Sequence, residues 1–244
     1  MKKMIRQSFM VLTLLFLVTS ALPAVAATLA LTIQPYQICD DDGTNCANSA
    51  KSLFEAEGDK IWAQAGIDLI FLPWITQNSS ALNTLNMDTE FGGPAAGNII
   101  RMLFVETITH CGGAGAGIFG CGYVDANGLA IADNVFSFNG GIGRLDTIAH
   151  ELGHNLGLGH GDFGAGGALN LMTSGAVRTI PSSINDITPD GIGTDQLTQA
   201  QIDEATASGF LEPVQEVPEP ASALLLLSCL VPVAAFWRRN RSND

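Results

Sequence analysis

Three of the chain's four histidines fall in one short window, His150-Glu151-Leu152-Gly153-His154-Asn155-Leu156-Gly157-Leu158-Gly159-His160. Residues four apart on a helix share a face, so His150 and His154 can reach one metal ion with neutral imidazole nitrogens, at about 2.0–2.1 Å for zinc. Glu151 follows the first ligand and therefore lies beside the metal, where it can take a proton from metal-activated water. His160 does not fit the helical period after His154. The helix must stop before it and the chain must turn back, which Gly157 permits by taking positive φ at little cost. Three imidazoles leave a fourth position open, the arrangement of a catalytic zinc site; a purely structural site uses four protein ligands. The chemistry expected is zinc-assisted hydrolysis of a peptide bond, with Glu151 as base toward water and then acid toward the leaving nitrogen.

These residues resemble the signature of the metzincin metallopeptidases, H-E-x-x-H-x-x-G-x-x-H followed by a methionine-bearing turn. All five fixed positions match, and Asn170-Leu171-Met172-Thr173 supplies a methionine downstream. The resemblance implies that Met172 forms an apolar floor beneath the zinc. It also implies that an edge strand ahead of the zinc helix aligns substrate by β-augmentation. Some subfamilies carry an acidic residue directly after the third histidine; here Gly161 intervenes, and Asp162 reads either as a brace for the Met172 turn or as a surface carboxylate. Ser174 stands where other subfamilies have a tyrosine that joins the metal, so three histidines are the whole ligand set expected. His110 has no partner at ligand spacing and reads as a strand-end residue.

The elements that must position this window are legible in outline. Thr28 to Ile38 reads as a first strand that Pro35 ends or bends. Ser49 to Gln64 has the spacing of an amphipathic helix, ended near Ala65-Gly66. Ile67 to Trp74 reads as a buried strand, and Gln77 to Gly97 as loop. Asn98 to Thr107 reads as a central strand, Cys111 to Gly128 as loop, and Leu129 to Phe136 as a strand placed at an edge because Asp133 and Asn134 interrupt it. A helix is expected from about Gly143–Asp146 to Leu156. Thr198-Gln199-Ala200-Gln201 is a capping box that opens a last helix. The fold class expected is therefore α/β (α+β), zincin-like: a mixed twisted sheet carrying an active-site helix, the metzincin architecture.

Both ends read as targeting segments. Residues 1–26 combine a basic start, an apolar run and Ala24-Val25-Ala26, the order of a secretory signal peptide. Residues 218–244 hold Pro218-Glu219-Pro220, an uncharged stretch over 221–237, and Arg238, Arg239 and Arg241. They resemble the PEP-CTERM sorting signal of Gram-negative bacteria, which implies export, a precursor held transiently in the membrane, and processing by signal peptidase and an exosortase-type protease. Between them lie a catalytic domain over 27–212 and a linker over 213–217. In that interior only Lys51, Lys60, Arg101, Arg144 and Arg178 are cationic, within a chain of net charge −13. So acidic a domain argues against nucleic acid as a partner.

Cys229 falls in the apolar tail. Cys39, Cys46, Cys111 and Cys121 are an even set in an oxidising compartment; local pairing, Cys39 with Cys46 and Cys111 with Cys121, is the simplest of three connectivities. The Asp40–Asn45 turn offers carboxylates for calcium but lacks the distal Glu of a calcium loop, so a solvated turn is expected. Together these readings describe an exported, monomeric zinc endopeptidase with one zinc and a protein or peptide substrate. The alternative is a non-catalytic extracellular matrix or biofilm-associated protein with a structural zinc site.

Overall fold

The structure is a computed structural model that describes residues 27–86, 97–112, 115, 117–164 and 166–214. The segments read as signal peptide and sorting signal lie outside these residues, as does most of the expected linker. No helix among the described residues is long and apolar enough to cross a membrane.

The spine of the fold is β1 (Leu29–Cys39). Its first half pairs in parallel with β2 (Ile67–Phe71) and its second half with β3 (Ile75–Asn78). Pro35 does not end the strand. It sits between those two ladders, where a missing N–H removes no bond, and the Gln34 side chain fills the gap by donating to Pro73 O at 2.7 Å. On the other side, β1 pairs in parallel with β5 (Ile100–Val105) and antiparallel with β9 (Leu211–Pro213). Next to β5 comes β8 (Leu129–Ala132), parallel, and then β7 (Gly120–Gly122), antiparallel, giving the order β2-β1-β5-β8-β7. The sheet is mixed and mostly parallel, as expected.

Several expectations need correction. Residues 80–86, in a stretch read as loop, form a helical turn and a short strand, and the first helix begins at Glu55 and not at Ser49. β8 is internal, not an edge: all four of its residues are buried. Asp133 and Asn134 do not interrupt it but follow it. The Asp133 N–H still donates to Val105 O, and its carboxylate accepts from the Asn48 N–H. The true edge is β7, in a stretch read as loop. β2 is likewise not uniformly buried but alternates between buried and exposed side chains, the pattern of a half-covered strand.

Period-2 alternation on β5 and β8 builds two cores. Ile100, Met102, Phe104, Leu129 and Ile131 face one side, with Trp62, Ile148 and Leu152 packed on them. Leu103, Val105, Ala130 and Ala132 face the other, covered by Leu85 and Ile108. Trp62 belongs to helix α1 (Glu55–Trp62), which a 3-10 turn extends to Ala65 before Gly66 takes φ 67°. A helical turn α2 (Ser80–Asn83) and the short parallel pair β4 (Thr84–Asn86) and β6 (Thr107–His110) form the second cover, with His110 at the strand end. Cys39–Cys46 and Cys111–Cys121 are bridged.

A broken helical segment α3 (Asn134–Gly141) leads to the long-buried helix α4 (Thr147–Asn155). Helix α5 (Gln199–Thr206) opens with the expected Thr198/Gln201 capping box.

Phe104 is fully buried and its ring centroid lies 4.8 Å from that of Trp74. Phe104→Ala should destabilise the domain by about 3–5 kcal/mol, read as a lower urea midpoint. Ile70→Ala, at an exposed position, should leave that midpoint nearly unchanged.

Candidate active site

Every residue of helix α4 is buried, because it packs against β7 and β8, with Glu151 and His154 next to the β7 glycines. The helix ends in a Schellman turn. Leu158 N–H bonds Gly153 O at 3.0 Å, Gly157 N–H bonds His154 O at 2.9 Å, and Gly157 has φ 95°. The same turn aims the Leu158 carbonyl at His154, whose Nδ1 lies 2.7 Å from it. His150 Nδ1 lies 2.7 Å from Leu171 O. A ring nitrogen facing a carbonyl must carry the proton, so both Nε2 atoms keep free lone pairs on the cleft side.

His160, carried back by the turn, completes the set. One ligand nitrogen from each of His150, His154 and His160 lies within 4.8 Å of the others, and the Nε2 atoms of His150 and His160 are 3.0 Å apart. A tetrahedral zinc spaces its nitrogens by roughly 3.3 Å, given bonds of about 2.0–2.1 Å. Burial holds His154 down to about 4 and His150 well below the usual histidine range, with the Arg178 guanidinium acting in the same sense. Burial also lowers the more exposed His160. The rings are therefore neutral near pH 7, as metal ligation demands. The donor set fits zinc.

Glu151 is brought beside these rings by two close approaches that only glycine allows. A Cβ on Gly120 would meet Glu151 Oε1, and a Cβ on Gly122 would lie 2.7 Å from the Glu151 carbonyl oxygen. Burial raises the Glu151 carboxyl to about 8, against the pull of Arg178, Arg144 and the Gly122 N–H. A cation on the histidines would act in the same sense as the arginines.

Met172 is fully buried, and its sulfur packs so closely on Gly153 that a Cβ there would collide with it. Asp162 does not brace this turn: its carboxylate is exposed and lies over Gly159. The bracing comes from residues that sequence reasoning passed over. Asn170 Oδ1 accepts from the Met172 N–H, and Asn170 and Gln201 exchange side-chain bonds at 2.8 and 3.1 Å. Arg178 donates to Leu171 O and Thr173 O at 2.7 and 3.0 Å, and pairs with Asp146 Oδ2 at 2.8 Å just before α4. Its guanidinium also lies against His150 Nδ1. The one available signal was scarcity: Arg144 and Arg178 are two of only five interior cations.

Asp195 is buried behind this pair with Oδ1 unpartnered. Burial, and then the facing Asp146 carboxylate, raise it to about 7.

Two cavities flank Glu151. One, of about 430 Å³, is bounded by Ile118, Phe119, Arg144, Thr147, Gly175 and Arg178. The other, of about 480 Å³, is bounded by Gly122, Val124, His154 and Gly159. Ile118, Gly120, Glu151 and His160 border both.

The raised Asp195 group means that the folded state holds its proton more tightly than the unfolded chain, whose ordinary value is 3.8. The stability it contributes is complete below that value and is lost as pH rises through about 7. Asp195→Asn keeps the shape and tolerates the local φ of 58°. It should match the parent in melting temperature at pH 4 and exceed it by several degrees at pH 8 in thermal scans.

Residues 79–161 match the family model for reprolysin-like metallopeptidases of family M12B, a span that includes β7, Glu151 and all three histidines. No curated protein matches the chain. Among solved structures, archaemetzincin (AmzA) from Archaeoglobus fulgidus, complexed with malonate, is similar at 12% identity, covering 71% of this chain and 99% of that one with a TM-score of 0.34. Archaemetzincin from Methanopyrus kandleri is similar at 11% identity, covering 77% and 98% with a TM-score of 0.40. The family match and the donor set built by His150, His154 and His160 point to a zinc metallopeptidase, a hydrolase.

Proposed function

We propose that this chain is an exported zinc endopeptidase that cleaves internal peptide bonds, with His150, His154 and His160 holding one zinc ion. The observation that carries the reading is three neutral imidazoles converging at the mouth of a cleft, with a buried carboxyl beside them and no fourth protein ligand among the described residues. Bound there, zinc supplies Lewis acidity, lowering the pKa of water toward about 7 and polarising the scissile carbonyl.

The chain's own residues do the rest. Glu151 takes the proton of the attacking water and delivers it to the departing amine. A carboxyl lifted toward neutrality both accepts and returns a proton readily. Phe119 O accepts from the Ala132 N–H and Tyr123 N–H donates to Gly128 O, so by alternation Gly120 and Gly122 turn their backbone groups away from β8. That outer edge borders the cleft and offers an extended peptide a strand to pair with. Met172 and Gly157 support the site from below and from the helix end. Export is supported by the two disulfides, which persist in oxidising compartments, and by the terminal segments of the sequence.

Glu151→Gln keeps the shape and removes the base. It should bind one zinc per chain, measured by metal analysis, and lose roughly 10²–10⁴-fold in rate on a quenched unfolded protein. Near-parental cleavage by the zinc-loaded variant would refute the mechanism. A parent that binds zinc yet cleaves neither proteins nor peptides would favour the matrix-component reading.

A further inference from the structure

The cavity on the Arg144 side of Glu151 has a buried, weakly paired cation in its wall. Arg144 is 93% buried, since its relative exposure is 7%. Its ion pair with Asp146 Oδ1 is long, at 3.7 Å, while Arg178 holds the other carboxylate oxygen at 2.8 Å. Arg144 Nε has no hydrogen-bond partner, and its Nη2 makes one long bond to Gly175 O at 3.3 Å. The guanidinium lies over the Phe119 ring, 4.7 Å from its centroid, which holds it in the cavity wall. Thr147 Oγ1, in the wall of the same cavity, is also buried without a partner. A buried guanidinium with only a long ion pair is costly, and two residues with unspent donor capacity lining one cavity suit an oxygen anion.

We propose that this cavity selects substrates by a carboxylate, bound by Arg144 and Thr147, on the residue that follows the scissile bond. The inference rests on the peptidase reading above. The position follows from the sheet. β7 runs from the Arg144 cavity, bordered by Gly117 and Phe119, toward the His154 cavity, bordered by Gly122 and Val124. A peptide added antiparallel to β7 runs the other way, so its C-terminal side enters the Arg144 cavity. The carboxylate can be an acidic side chain or the free end of the chain, and the guanidinium recognises the same atoms in either.

The test uses the zinc-loaded protein and two sets of quenched peptides. One set is blocked at both ends and carries Glu, Gln, Leu or Lys after the cleaved bond. The other carries Leu there and ends one residue after the bond, with either a free or an amidated terminus. In the parent, kcat/KM for Glu over Gln, or for free over amidated termini, should be about 10–100-fold, the range of a charge-assisted hydrogen bond. The first result assigns the carboxylate to a side chain, the second to a chain end. Arg144→Gln should bring the ratio close to one, and Arg144→Lys should restore part of it. Ratios within each variant do not depend on how much protein folds.

Binding of the same uncleaved peptides to zinc-loaded Glu151→Gln, measured by calorimetry, gives a readout independent of turnover. A parent that cleaves without either preference overturns the proposal and leaves the peptidase intact, as does a preference that survives Arg144→Gln. If no peptide is cleaved, the peptidase reading falls, and equal binding of Glu and Gln peptides then removes the carboxylate site as well.

Discussion

The carbonyl oxygen of Leu171 accepts from two sides. The His150 ring comes from helix α4, and the Arg178 guanidinium arrives from beyond the Met172 turn. Through the first bond the ring is held in the tautomer that leaves Nε2 free. Through the second the turn is tied to Arg178, which also grips Asp146 at the head of α4. One backbone oxygen thus fixes the distance between the helix that carries two candidate ligands and the turn that floors them. Removing a partner would strand a buried charge or carbonyl, so the arrangement holds as a unit. The charge balance around it follows. Two arginines share one well-placed carboxylate, Asp195 is pushed toward neutrality, and the remaining positive charge faces the cleft.

Space is regulated as strictly as charge. Glu151 can be buried next to β7 only because that strand is Gly-Cys-Gly, and Met172 can press on α4 only because residue 153 has no side chain. These glycines lie within strand and helix, where they weaken the element that contains them. The pairing of β7 with β8, and the Cys111–Cys121 bridge at its middle residue, offset that weakness.

How much of this could be read from the chain alone depends on whether the determinant is local. The histidine window, the stop at Gly157, the capping box at Thr198 and both disulfides are encoded within about a dozen residues, and they stand as read. The central place of Ile100–Val105 was visible in its apolar content, broken only by Arg101. β7 was not, because Gly-Cys-Gly has no strand propensity; it is a strand only through its pairing with Leu129–Ile131. β8 was placed at the edge because Asp133 and Asn134 read as interruptions, and its outer neighbour gave no signal against that reading. Arg144 and Arg178 carry no motif, and their roles arise from Asp146, Leu171 and Phe119, residues that the fold gathers from separate elements. Asp162 shows the converse: of its two readings, brace or surface carboxylate, the exposed side chain fits the second.

The pairing of β1 with β9 joins Leu29 to Pro213, the two extremes of the described domain. Within this domain, synthesis from the N-terminus presents the spine first and its β9 partner last. β1 must await β2, β3, β5 and finally β9, contacts of steadily greater separation. The sheet is a structure of late completion, and the helix bearing the histidines is made before the strand that completes it.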